Sequence, residues 1–188
     1  MSYLLEVDPL DLGPGVKAVG LELIERESRE PLPTEEAAPL WAAAIPALAG
    51  EEPWALDFFA HLDRVRDFCR RRGIEWREAA PRAMVVAPPP KPEDLRALVE
   101  RFAGETFGIR AGGNLPQADA ELEGHLARRG VDAYHTTYTR YYLCGVCDLE
   151  NGFLTLLTNR LWASEVVRRL GKALGPLEVD VRLTQQIM

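Results

Sequence analysis

The sequence predicts an α+β fold, with an antiparallel or mixed sheet and helices mainly on one of its faces. Three observations carry that expectation. Residues Val131–Asn159 are mostly β-branched, aromatic or small up to Asn151-Gly152, the preferred dipeptide of a two-residue hairpin turn. Amphipathic segments at helical spacing recur along the chain, two of them closing on Arg-Arg-Gly. Residues 106 to 183 read β-α-β-β-α-β, the order of a ferredoxin-like unit. The chain therefore divides into an N-terminal α/β half over 1–105 and a βαββαβ unit over 106–188, the first half being a candidate diverged repeat of the second. Two internal matches suggest that duplication: Arg71-Arg72-Gly73-Ile74 with Arg128-Arg129-Gly130-Val131, and the pattern from Leu95 to Arg110 with that from Val167 to Arg182.

Taken in order, Tyr3 to Val7 is a short strand ended by Asp8-Pro9, and Val16 to Ile24 a second strand. An acidic loop broken by Pro31 and Pro33 leads to Thr34, an N-cap ahead of Glu35-Glu36. The alanine-rich helix that follows runs to about Leu48, with Pro39 and Pro46 limiting its useful length. A second helix is expected from Pro53 to Arg72, because Trp54, Phe58, Leu62, Val65 and Cys69 recur at helical spacing, with Phe59 and Phe68 widening the stripe. Arg70-Arg71-Arg72-Gly73 ends it, cations at the negative end of the dipole and glycine at C′. Ile74 to Arg77 and Ala83 to Ala87 are short strands, and Pro88-Pro89-Pro90-Lys91-Pro92 is a stiff connector with Pro92 as a first helical residue. Glu93 to Ala103 is helical, Thr106 to Arg110 a strand, and Pro116 to Arg129 a further helix. After the hairpin come a helix from Leu161 to about Leu174 and a strand from Leu177 to Leu183.

A two-residue loop at Asn151-Gly152 would place Leu149 opposite Leu154 and Cys147 opposite Leu156. Alternation then gives one core face of Leu143, Cys147, Leu149, Leu154 and Leu156. The other face carries Tyr138, Arg140, Tyr142, Cys144, Val146 and Asp148, with Phe153 across from them. That mixture of aromatics with an arginine is the best candidate surface in the protein.

Composition narrows the function. A net charge of −7 disfavours nucleic acid and anionic membrane as partners. No apolar run approaches the roughly 18 residues of a membrane span, so a cytoplasmic protein is expected. Arginine far outnumbers lysine and amides are scarce, a balance that fits a thermophile or simply GC-rich coding. The three cysteines, Cys69, Cys144 and Cys147, make no disulfide framework. Cys144-Gly145-Val146-Cys147 lies in a strand, with its sulfurs on opposite faces, so neither redox nor zinc chemistry is expected. Asp57 with His61, and Glu121 with His125, share i,i+4 spacing, but a third ligand is lacking and no metal or cofactor is expected. Gly112-Gly113-Asn114 is a turn whose amides could cradle an anion, although its spacing fits neither phosphate-binding fingerprint.

The functional expectation is a binding protein, or one that self-associates as a homodimer, acting through Tyr138, Arg140, Tyr142, His135 and Phe153. The alternative is a small enzyme, its site built from His135, Arg140 and the Gly112–Asn114 turn and its substrate a small anionic molecule.

Overall fold

The structure, a computed structural model, describes residues 3–11, 17–79, 83–112, 115, 142–149, 152–157, 163–175 and 178–181. In chain order its elements are β1 (Tyr3–Asp11), β2 (Lys17–Glu25), α1 (Thr34–Ala49), β3 (Trp54–Phe58), α2 (Leu62–Arg72), β4 (Trp76–Ala79) and β5 (Ala83–Val86). They continue with α3 (Pro92–Phe102), β6 (Phe107–Ala111), β7 (Leu143–Asp148), β8 (Phe153–Leu157), α4 (Ala163–Leu174) and β9 (Glu178–Val181). The strands form one nine-stranded sheet in the order β4-β5-β3-β6-β7-β8-β2-β1-β9. Every neighbour is antiparallel except β9, which lies parallel to β1. The α+β class with a mixed sheet is therefore what the sequence predicts.

Strand alternation explains where the helices sit. Leu5, Val7, Leu21, Leu23, Leu56, Phe58, Phe107, Ile109, Leu143, Cys147 and Leu154 all point to one side, where they share a single core with Trp41, Ile45, Val65, Cys69, Leu98, Phe102, Val166 and Leu170 of the helices. Phe58 stacks on Phe107 with ring centroids 5.4 Å apart and meets Phe102 of α3 edge-on at 5.5 Å. The opposite face carries Leu4, Glu6, Ile24, Ala55, Asp57, Val85, Arg110 and Cys144, of which the apolar members are buried yet stand outside that core.

Several expectations are corrected. The helix expected from Pro53 to Arg72 is a strand followed by a helix. Trp54-Ala-Leu-Asp-Phe58 satisfies a period of two as well as of 3.6, and the position between β5 and β6 bonds its backbone on both edges. His61 adopts φ 51° where the chain turns into α2, and Phe59 is left 49% exposed. At the far end Gly73 takes φ 65°, and the Ile74 amide reaches the Cys69 carbonyl at 2.9 Å, closing α2 as expected.

β1 runs through Asp8-Pro9 to Asp11: among the described residues β9 pairs only Leu4 to Val7, so Pro9 lies where no described strand needs its missing N–H. α1 contains both Pro39 and Pro46, and Pro33 stands at the cap position expected for Thr34, which is the first helical residue. Burial of Trp41, Ile45 and Leu48 at roughly 1.5–3 kcal/mol each offsets the helix bonds the prolines remove.

The hairpin also closes differently. Asp148 faces Phe153 and Cys147 faces Leu154, so the loop holds four residues, with the Gly152 amide bonded to the Leu149 carbonyl at 3.2 Å. A register displaced by two residues keeps Leu143, Cys147 and Leu154 on the expected core face. Gly152, at φ 80°, has room for no side chain: a Cβ there would lie 2.8 Å from Pro31 Cβ.

The ferredoxin-like arrangement expected for 106–183 does not form among the described strands. β8 lies between β7 and β2, and β9 is separated from β8 by β2 and β1. A β-α-β-β-α-β order with all-antiparallel strands occurs instead over Trp54 to Ala111. The expected helix at 116–129 and one half of the first internal match, 128–131, lie outside the described residues.

Candidate binding cleft

α4 presents Glu165, Arg168, Arg169 and Lys172 at intervals of three and four, while Val166 and Leu170 face the core. Glu165 holds both arginines. Its two oxygens accept from Arg168 Nε at 2.8 Å and Nη2 at 2.5 Å, and Oε1 also accepts from Arg169 Nε at 3.0 Å. These hydrogen bonds, that from Arg168 first, hold the Glu165 carboxyl at about 2, well below the usual carboxylate range.

Arg169 then reaches across to α1. Its Nη1 donates to the Leu48 carbonyl at 2.7 Å, placing a cation on the negative end of that helix, whose last turn has no basic residue of its own. Its Nη2 donates to Tyr142 Oη at 2.7 Å, and the guanidinium carbon lies 5.4 Å from the Tyr142 ring centroid. Gly50, at φ 65°, makes this approach feasible, since a Cβ would meet Arg169 Nη1 at 2.8 Å. Three segments distant in sequence are thereby locked together, and between them opens a cleft of about 610 Å³. α4 lines one wall with Arg168, Arg169 and Lys172. Glu51 and Glu52, just past α1, line another, with Tyr142 and the alanines Ala47, Ala49 and Ala173 between.

Tyr142 therefore does not stand on the strand face with Cys144. It sits at a bend before β7, its amide bonded to the Ala111 carbonyl at 2.8 Å and its side chain packed on the helix-side core. Tyr138, Arg140, His135, Gly113 and Asn114 lie outside the described residues, as does the side chain of Phe153, whose backbone pairs with Asp148 and Glu22. Gly112 is buried, and its amide donates to the Pro53 carbonyl at 2.9 Å. That donor is committed within the fold.

Comparison with known protein families, curated proteins and solved structures finds no match for this chain. The site must be read from its own chemistry.

A second polar cluster, unforeseen in the sequence, lies on the sheet face away from the helical core. Asp57 and Arg110 are 7% and 9% exposed and pair through two hydrogen bonds, Nε to Oδ2 at 2.7 Å and Nη2 to Oδ1 at 2.5 Å. Gly108, opposite Asp57 in the register, supplies the clearance: a Cβ would sit 3.2 Å from Asp57 Oδ2. Cys144 faces Arg110 across the β6–β7 pair, its thiol pushed up to about 12 by burial, with Arg110 opposing that shift. Cys147, on the core face, is pushed up further by burial alone. Asp57 and His61 do not share a helix face, because Asp57 is on β3 and bound to Arg110, whereas His61 Nε2 lies 3.4 Å from Glu105. Among the described residues no group of His, Cys, Asp and Glu is placed to hold a metal ion.

The arginine triplet closing α2 is likewise engaged within the chain: Arg70 pairs with Asp67, and Arg72 with the buried Asp94 at 2.6 Å.

Proposed function

We propose that this protein is a binding protein whose site is the cleft between α1 and α4, and that it takes a small molecule bearing an anionic group. The observation that carries this reading is the cationic wall. Two arginines share the single carboxylate of Glu165, and Lys172 makes no ion pair among the described residues, so the wall keeps positive charge facing a cavity of ligand size. Tyr142, expected to contribute to binding, supplies an aromatic surface in that cleft.

Calorimetric titration with acetate, succinate, inorganic phosphate and free amino acids tests the reading. At least one should bind saturably, and a variant carrying both Arg168→Ala and Lys172→Ala should lose about tenfold in affinity or more. Absence of binding by the whole panel at about 10 mM overturns it.

Self-association through the β7–β8 strands is the second reading. It is supported by the sheet face opposite the helical core, on which Cys144 and Asp148 are half-buried. Light scattering should then give twice the 21.0 kDa chain mass, and a monomer at all concentrations removes this reading.

A further inference from the structure

The cleft is not uniformly cationic, and its charge is sorted by wall. Arg168, Arg169 and Lys172 stand on α4, and Glu51 and Glu52 follow the C-terminal end of α1. No ion pair joins the two walls: Arg168 and Arg169 bond Glu165 on their own helix, and Lys172, Glu51 and Glu52 make no side-chain bond among the described residues. α1 ends at the acidic wall, its last turn carries no basic side chain, and its terminal carbonyls carry the negative end of the helix dipole. Arg169 occupies the Leu48 carbonyl, and the Gly50 and Glu52 amides turn back onto Pro46 and Ala49. With Glu165 offset by one arginine, the remaining positive charge of α4 equals the negative charge of Glu51 and Glu52. The Tyr142 ring and three alanines form a less polar strip between them.

A simple anion entering this cleft gains at one wall and is repelled at the other. We infer that the ligand is a zwitterion, a free amino acid or short peptide, with its carboxylate toward Arg168 and Lys172 and its ammonium group toward Glu51 and Glu52. This rests on the cleft being the binding site, as proposed above. Its apolar portion would lie along Tyr142 and the alanines, since a cavity of about 610 Å³ has room beyond the two charged groups.

The test compares leucine with 4-methylpentanoate and isopentylamine, which keep the side chain and lack one charge each, within a titration of all the common amino acids and dialanine. The expected result is that at least one zwitterion binds about tenfold more tightly than its own deaminated and decarboxylated analogues. Glu51→Gln combined with Glu52→Gln should abolish the advantage over the carboxylic acid, and Arg168→Ala combined with Lys172→Ala the advantage over the amine. All four positions are surface-lining, and circular dichroism confirms that the variants fold. If the acids bind as tightly as the amino acids, and Glu51 and Glu52 can be neutralised without effect, the zwitterion is ruled out while the cleft remains an anion site. If no compound binds, both inferences fall together.

Discussion

At the scale of single residues, the Asp57–Arg110 pair should show the asymmetry of a buried ion pair. Asp57→Asn or Arg110→Ala leaves one charge enclosed without its partner and should cost about 3–5 kcal/mol in urea unfolding. Replacing both together, Asp57→Leu with Arg110→Met, should cost less than either single change, because neither charge of the pair then remains buried. Gly108→Ala acts on the same pair through space. Its methyl group would press on Asp57 Oδ2 and Cβ at 3.2 and 3.3 Å, and a loss of about 1–3 kcal/mol is expected. The cysteines give a chemical check. Cys69 is pushed up to about 11 and Cys144 to about 12 by burial, so the thiolate fraction near neutral pH is minute. Ellman titration of the native protein should be slow, with the buried Cys69 and Cys147 appearing only on unfolding.

Among the elements, α4 carries the most testable electrostatics. Glu165 is held at about 2 in the fold against an ordinary 4.5, so its carboxylate contributes stability that is fully present above about 4.5. That contribution is lost as the pH falls through 2, when the group protonates and releases Arg168 and Arg169. Glu165→Gln should therefore destabilise the protein at neutral pH, and its unfolding midpoint should converge on that of the natural chain in acid. A difference that persists unchanged down to pH 2 would show that Glu165 acts by packing and not by charge. Gly50→Ala tests the other side of the same junction. It combines a strained positive φ with a 2.8 Å encounter with Arg169, and should both destabilise the fold and displace the guanidinium from Tyr142. Loss of the tyrosine's fluorescence environment without loss of α1 helicity would report that displacement.

For the whole molecule, one sheet unites chain segments on both sides of residue 105, since β6 pairs with β3 as well as with β7. Among the described strands its outer edges are β4 and β9, each described over four residues, and short edge strands limit edge-to-edge pairing. No helix among the described residues is long and apolar enough to cross a membrane. The large core holds side chains from each of the helices α1 to α4, so unfolding of the described sheet and helices should be a single cooperative transition. Coincident far-ultraviolet circular dichroism and tryptophan fluorescence curves check this, and two separated transitions would reveal independent halves.

The sequence by itself determined the α+β class, the alternation that sends Leu143, Cys147 and Leu154 to the core, the glycine stop of α2 and the opposed sulfurs of Cys144 and Cys147. Each depends on local period or turn chemistry, which neighbouring residues express directly. Tertiary structure alone decided the rest. Trp54–Phe58 suits either period, and only its place between β5 and β6 makes it a strand. The pairing of Asp57 with Arg110 spans 53 residues, and that of Arg169 with Leu48 spans 121, separations that no local pattern encodes. Alternation placed Tyr142 on the face of Cys144, whereas the structure packs it on the helix side, because the strand begins one residue after it. The cleft was invisible for the same reason: its walls come from three distant segments, and its charges become neighbours only when α4 packs on α1.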